Sequence, residues 1–209
     1  ILEGIVIPPK DIINCKGKKV LVIGGGDTGS DCVGTANRHK AASVTQIEIM
    51  PQPPVGHNPA TPWPLYPQVL KTSSSHEEGC IRRWNLASVR FIGDKNTLKG
   101  VEVEEIEWQP TEKEGRPEMR KTGSTEVIEA DLVFLAMGFI HPEQEGLVKE
   151  LSLAVDARGN IAVDPVTNQI ADTNLFASGD AVSGASLVVR AMASGRKVAA
   201  AIDQYLRNK

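Results

Sequence analysis

The chain has 209 residues, of which 41% are hydrophobic and 23% charged, and its formal net charge is −3. These fractions are ordinary for a globular protein, and the length allows one large domain or two small ones. The slightly acidic balance argues against nucleic-acid or acidic-membrane partners, and no apolar run approaches the roughly 20 residues of a membrane-spanning helix. Three well-separated cysteines fit neither a disulfide framework nor an iron–sulfur motif, so we expect a cytoplasmic protein with reduced thiols.

A glycine-rich turn follows the first apolar run. Residues 18–24 predict a buried strand, Gly24, Gly26 and Gly29 form a G-x-G-x-x-G turn, and residues 28–39 predict a helix before a second strand over 44–50. This β-α-β order places backbone amides and the positive end of a helix dipole where a pyrophosphate binds. The alternative is a glycine-rich turn with no ligand.

The residues around this turn suggest which nucleotide binds. Gly25, Asp27 and Thr28 complete the turn, and Thr28 either contacts a phosphate or joins Asp27 in capping the helix. Glu48 lies 19 residues after Gly29, the spacing of an acid that accepts ribose hydroxyls, which favours NADH over NADPH. Two alternatives remain: Glu48 is a solvated charge, or Arg82 and Arg83 reach a 2′-phosphate from another loop.

The middle of the chain is rich in proline. Residues 51–67 contain seven prolines, which exclude a regular helix or a central strand and indicate an ordered loop. Trp63 and Tyr66 form either a docking surface or, as we expect, a structural cover packed onto the domain. Residues 75–78 predict a capping box that starts a short helix toward Trp84.

Strand patterns dominate the next segment. Residues 89–92 and 100–108 predict strands, with a bulge near Glu104–Glu105 where the apolar alternation changes face. Residues 119–128 are the expected partner strand across a charged turn over 111–116. Residues 131–138 predict another buried parallel strand, which stops at Gly138.

The last third contains a second glycine feature. We expect a turn over 156–160 between two short strands, and a strand over 174–180 that ends in Gly179-Asp180. A final helix over 186–206 follows. Its apolar or small positions have a helical period and predict a packing face: Leu187, Ala191, Gly195, Val198, Ile202 and Leu206.

An early dinucleotide turn combined with a late Gly-Asp resembles the two-dinucleotide-binding-domain flavoprotein oxidoreductases. The resemblance implies that the early turn binds NAD(P)H and that Gly138 ends a strand returning to the FAD domain, with Met137 standing where the family usually has Thr. It also implies that Asp180, after Gly179, binds the flavin ribityl hydroxyls. The amides at Ala185, Ser186 and Leu187 would face the flavin pyrimidine edge.

Three longer segments resemble the small (beta) subunits of glutamate synthase, and the likeness runs along nearly the whole chain: 24–32, 44–54 and 70–78. It implies an α/β fold in which a Rossmann-like NAD(P)H-binding domain over 17–136, after a linker over 1–16, is inserted into an incomplete FAD-binding domain over 137–209. The start at Ile1 rather than Met favours a fragment, so we expect weak FAD binding or none.

The same resemblance implies a chemistry carried by cofactors. Hydride from NADH (or NADPH) would reduce FAD, and iron–sulfur clusters in an N-terminal region outside this sequence would pass electrons to a large (alpha) subunit that makes glutamate. No catalytic acid, base or nucleophile is needed, and we expect neither a metal site nor a triad from the four scattered histidines. Another flavin oxidoreductase of the superfamily and a non-catalytic nucleotide sensor are the alternatives.

Overall fold

The computed structural model describes residues 7–8, 12–110 and 117–208. The chain divides into two compact units, the first ending at Met137 and the second beginning at Gly138. The assignment of these units to an NAD(P)H-binding and an FAD-binding domain stays a prediction.

The first unit combines a parallel sheet with an antiparallel one. Its elements in chain order are β1 (Lys19–Ile23), α1 (Asp27–Arg38), β2 (Ser43–Ile47), α2 (Ser74–Glu77), β3 (Ile81–Arg83), β4 (Leu86–Asp94), β5 (Thr97–Gln109), β6 (Glu118–Glu129) and β7 (Leu132–Leu135). The parallel sheet has the order β3-β2-β1-β7, and α1 connects β1 to β2. This is the Rossmann-like β-α-β unit that the first apolar run and the glycine turn predicted.

Alternate residues of β1 enter two different apolar cores. Val20 and Val22 pack in a cluster with Val33 and Ala36 of α1, whereas Leu21 belongs to a second cluster that includes residues of β5. A parallel strand covered on both faces is expected to be apolar, as β1 is from Val20 to Ile23. The strand β1 therefore packs against α1 on one face and against β5 on the other.

The antiparallel sheet matches most of its sequence-based description. The strands β4, β5 and β6 pair in that order. The register between β5 and β6 shifts between Glu104 and Ile106, which confirms the predicted bulge. The predicted turn over 111–116 lies outside the described residues.

Two expectations for the middle segment are wrong. The short helix is capped by Ser73 instead of Ser75 and ends at Glu77, because Gly79 takes a φ of +125° that leaves the helical conformation. The chain then enters β3, which pairs with β2 at the edge of the parallel sheet. Residues 51–67 contain no helix or strand, as expected, but Trp63 is 92% exposed and does not pack down as a cover.

The second unit contains three helices: α3 (Leu147–Glu150), α4 (Asp180–Ser183) and α5 (Val188–Arg207). Val148, Ile161 and Ile170 form its buried core. The strand predicted over 174–180 is reduced to a single bridge between Gln169 and Phe176.

The final helix also begins later than the Ser186 expected. Gly184 has a φ of +80° and Leu187 is an extended N-cap, so helical conformation begins at Val188. On its predicted packing face Val198 is buried, but Leu206 is 62% exposed. Within the described residues, no helix combines the length and hydropathy that crossing a membrane requires.

Candidate functional site

The glycine turn between β1 and α1 uses each of its three glycines differently. Gly24 has a φ of +124°, and a Cβ there would lie 2.1 Å from the carbonyl oxygen of Ala136. A Cβ on Gly29 would lie 2.2 Å from the carbonyl oxygen of Gly24, whereas one on Gly26 would meet no atom within 4 Å. The first and third glycines therefore allow close backbone packing, and the second leaves space in which a ligand can approach.

The amino end of α1 opens beside this space. Gly26 is the N-cap, and no side-chain hydrogen bond caps the helix. The capping role considered for Asp27 and Thr28 therefore has no support, and phosphate contact by Thr28 stays a prediction. The first amides of a helix lack intrahelical acceptors and carry the positive end of its dipole, so the turn presents donors suited to an anion.

Glu48 lies directly against the turn. The strand β2 ends at Ile47, earlier than expected, so Glu48 is the first residue after it. Glu48 Oε2 accepts a 2.5 Å hydrogen bond from the Gly25 amide. Its Oε1 accepts a 3.2 Å bond from the Met50 amide. A Cβ on Gly25 would lie 2.4 Å from Oε2, so this contact also requires glycine. Glu48 is thus a half-exposed carboxylate that two backbone amides hold beside the turn.

A cleft of about 280 Å³ brings Gly25, Gly26 and Glu48 together with cationic and apolar side chains. The other side chains lining it are Gln46, Met50, Pro51, Pro53, Val69, Leu70, Lys71, Arg82, Arg83 and Trp84. The two arginines considered in the sequence are therefore present beside the acid, and Lys71 adds a third cation.

Each of these cations already has a partner. The Arg82 guanidinium donates a 3.0 Å bond to the Lys71 carbonyl and lies 5.2 Å from the centre of the Trp84 ring. Arg83 forms an ion pair with Glu126, which raises the pKa of Arg83 and lowers that of Glu126. The Lys71 ammonium lies 4.2 Å from the centre of the Tyr66 ring. Arg83 is the one of these three that is paired with a carboxylate, whereas Arg82 and Lys71 keep further N–H donors for a negatively charged ligand.

The residues expected on the flavin side lie in the second unit. Gly179 is buried with a φ of +66°, and its amide donates a 3.2 Å bond to Ser194 Oγ. Asp180 is exposed and begins α4. Asp180 and Ala185 line one cleft of about 370 Å³ with Phe139, His141, Pro142 and Ala181. Four predicted residues are not part of that lining: Gly138, Gly179, Ser186 and Leu187.

Three polar residues near the glycine turn escaped the sequence analysis. Gln46 Nε2 donates a 2.8 Å bond to the Gly24 carbonyl. The Oε1 of Gln46 is hydrogen-bonded to His76 Nε2, and His76 Nδ1 is hydrogen-bonded to Ser73 Oγ. Gln46 is a polar residue near the end of an otherwise buried strand, and His76 belongs to the segment 70–78. Gln46 and His76 were visible in the sequence, but nothing there indicated that the two side chains contact each other.

The profile of the pyridine nucleotide-disulphide oxidoreductase family matches residues 82–195, more than half of the chain. The chain belongs to this family. The membership agrees with the parallel sheet, the glycine turn and the Gly-Asp feature of the second unit.

Several similar proteins carry the name glutamate synthase, and two of them show how much of each is matched. The glutamate synthase [NADPH] small chain of Mycobacterium tuberculosis is 43% identical over 195 residues, which cover 93% of this chain and 38% of that protein. The glutamate synthase [NADH] of Saccharomyces cerevisiae is 37% identical over 203 residues, covering 91% of this chain and 9% of that one. The chain thus spans well under half the length of either relative.

Solved structures show the same family fold. A thioredoxin reductase from T. acidophilum matches with a TM-score of 0.56 and 25% identity, over 90% of this chain and 52% of that one. FprA of Mycobacterium tuberculosis in complex with NADPH matches with a TM-score of 0.67 over 93% of this chain and 54% of that one, and its 13% identity supports the fold alone.

Proposed function

We propose that this protein is the electron-input part of a glutamate synthase, in which NAD(P)H reduces FAD by hydride transfer. The observation that carries the proposal is the glycine turn, whose second glycine opens onto a cleft bounded by Glu48. The 43% identity to a glutamate synthase small chain supports the choice of this member of the family. The proposal concerns a whole protein, of which this chain matches one part.

In this proposal the first unit binds the nucleotide, and the reaction needs no acid–base group from it. Amides at the start of α1 would hold the diphosphate, and the open space at Gly26 fits its close approach. The apolar wall that includes Leu70 and Trp84 would exclude water from one side of the cleft. The nicotinamide and flavin supply the hydride chemistry when they are bound, and the protein orients them.

NADH is the nucleotide we propose. Glu48 has acceptor capacity beyond its two amide bonds, because each carboxylate oxygen accepts more than one donor, so it can receive ribose hydroxyls. Its charge would repel a 2′-phosphate, and one of the three cations of the cleft, Arg83, already pairs with Glu126. Titration with both nucleotides tests this: tighter binding of NADH is expected, and tighter binding of NADPH would contradict it.

The flavin-side roles are part of the proposal. Asp180 would accept the ribityl hydroxyls, while Ala185, Ser186 and Leu187, which precede α5, would offer backbone groups to the ring. The 209 residues alone are expected to bind FAD weakly or not at all. Iron–sulfur clusters in an N-terminal region, a large-subunit partner and a cytoplasmic location complete the proposal.

Reduction of FAD tests the function directly. The complete protein with FAD bound should lose its flavin absorbance at about 450 nm when NADH is added anaerobically. Nucleotide binding without any loss of flavin absorbance would instead favour the alternative of a non-catalytic nucleotide sensor. A purified 209-residue chain that carries stoichiometric flavin would refute the expected weak binding.

A further inference from the structure

A polar relay joins the glycine turn to the short helix α2. Gln46 is 2% exposed, and its Nε2 donates a 2.8 Å bond to the Gly24 carbonyl. Its Oε1 lies 2.9 Å from His76 Nε2. His76 Nδ1 lies 3.1 Å from the Ser73 amide nitrogen. Four residues from three separate segments are thus connected by three consecutive hydrogen bonds.

The direction of every bond in the relay is fixed by chemistry. The Gly24 carbonyl only accepts, so the amide nitrogen of Gln46 must face it and the amide oxygen must face His76. That oxygen also only accepts, so the proton of His76 is on Nε2, and the bare Nδ1 accepts from the Ser73 N–H. His76 is therefore neutral and in one tautomer. Its burial and the charge of Arg82 lower its pKa, which favours the same state.

The relay also anchors one wall of the cleft. Ser73 Oγ lies 2.5 Å from Ser30 Oγ of α1, and a Cβ on Gly34 would lie 2.5 Å from Ser75 Oγ, so α2 packs closely on α1. The residues just before α2 line the cleft: Val69, Leu70 and Lys71. The same contacts therefore fix both the turn and the chain segment opposite it.

The decisive geometry is that of the Gly24–Gly25 peptide. In a trans peptide the carbonyl and the following N–H point in opposite directions. The relay holds the Gly24 carbonyl on the side of Gln46, which directs the Gly25 N–H toward Glu48 on the other side. One peptide plane is thus held from both sides, immediately before the amides that begin α1.

We propose that His76 and Gln46 are positioning residues that set the orientation of the glycine turn for nucleotide binding. The inference rests on the proposed function of that turn. Without the Nε2 donor, the buried Oε1 of Gln46 loses its partner, so Gln46 is free to change rotamer and release the Gly24 carbonyl. The turn would then sample orientations in which its amides do not converge on the diphosphate.

Two substitutions of one residue separate positioning from stability. His76→Asn keeps a polar group near the Ser73 amide but is too short to donate to Gln46, whereas His76→Gln keeps a donor at the length of Nε2. The KM for NADH of the complete FAD-containing protein should rise about 10-fold in His76→Asn, with a smaller change in kcat. His76→Gln should restore most of the loss, and His57→Asn on the exposed proline-rich loop should match wild type.

Nitrogen-15 NMR of the imidazole provides the independent readout. Wild type should show the neutral Nε2–H tautomer of His76 at neutral pH, and the Nδ1–H tautomer would overturn the relay. A His76→Asn protein that melts earlier but keeps the wild-type KM would also overturn the inference, since His76 would then be structural only. Failure of the proposed function is distinct, because wild type itself would then bind no nucleotide.

Discussion

Replacing Gly26 with alanine should weaken nucleotide binding more than it weakens the fold. The residue has a φ of −80°, which alanine adopts freely, and the added Cβ would meet no protein atom within 4 Å. Alanine is a poorer N-cap than glycine, so the expected cost in unfolding free energy is about 0.5–1 kcal/mol, less than the expected loss in binding. The methyl group would, however, occupy the space through which the diphosphate approaches.

The expected loss in affinity follows from one charge-assisted hydrogen bond. Such a bond is worth roughly 1.5–3 kcal/mol, so the Kd for NADH should rise about 10- to 100-fold in Gly26→Ala. Calorimetric titration gives the Kd, and urea unfolding gives the stability. Unchanged affinity in a stable Gly26→Ala protein would refute the assignment of this space to the diphosphate.

Gly29→Ala is the matched comparison, because it should destabilise the fold, which Gly26→Ala should largely spare. Its Cβ would lie 2.2 Å from the Gly24 carbonyl oxygen and 2.7 Å from Gln46 Nε2, distances that force the backbone to move. Overpacking of this kind costs about 1–3 kcal/mol of unfolding free energy. A Gly29→Ala protein as stable as wild type would show that α1 does not pack against the turn as described.

Three further predictions concern charge. Glu48→Gln removes the repulsion of a 2′-phosphate but keeps a hydrogen-bond acceptor, so the ratio of NADPH affinity to NADH affinity should rise about 10-fold in parallel titrations. An unchanged ratio would show that Glu48 does not select between the two nucleotides. Because the pKa of His76 is lowered from 6.5, its contribution to stability is present above pH 6.5 and is lost as the pH falls below it. Urea unfolding across this range should therefore show a steeper loss for wild type than for His76→Asn, and parallel curves would contradict the buried neutral imidazole. Glu126→Gln removes the half-exposed ion pair with Arg83 and should lower the free energy of unfolding by less than about 1 kcal/mol, a difference that high salt abolishes. A larger loss that does not depend on salt would mean that this pair is effectively buried.

Local patterns predicted the elements that depend on neighbouring residues. The apolar run before Gly24 and the glycine spacing predicted β1, the turn and α1, because their geometry follows from strand burial and backbone freedom. The bulge near Glu104 was visible as a change of face within one strand. Family resemblance added the expected roles of residues such as Asp180, which the turn alone does not suggest.

Contacts between distant segments were not predictable in this way. The strand β3 has three residues and exists because β2 pairs with it, so no local pattern marks it. The bond from Gln46 to His76 joins positions 30 residues apart and depends on how α2 packs on α1. Trp63 was expected to pack onto the domain as a structural cover, yet it is 92% exposed in the proline-rich loop.

A crystal structure of the protein with bound NADH tests the central claim most directly. The account predicts the diphosphate within hydrogen-bonding distance of the amides at Gly26, Asp27 and Thr28, with a ribose hydroxyl donating to Glu48. A nucleotide bound elsewhere on the chain, or a turn left empty at saturating NADH, would contradict it.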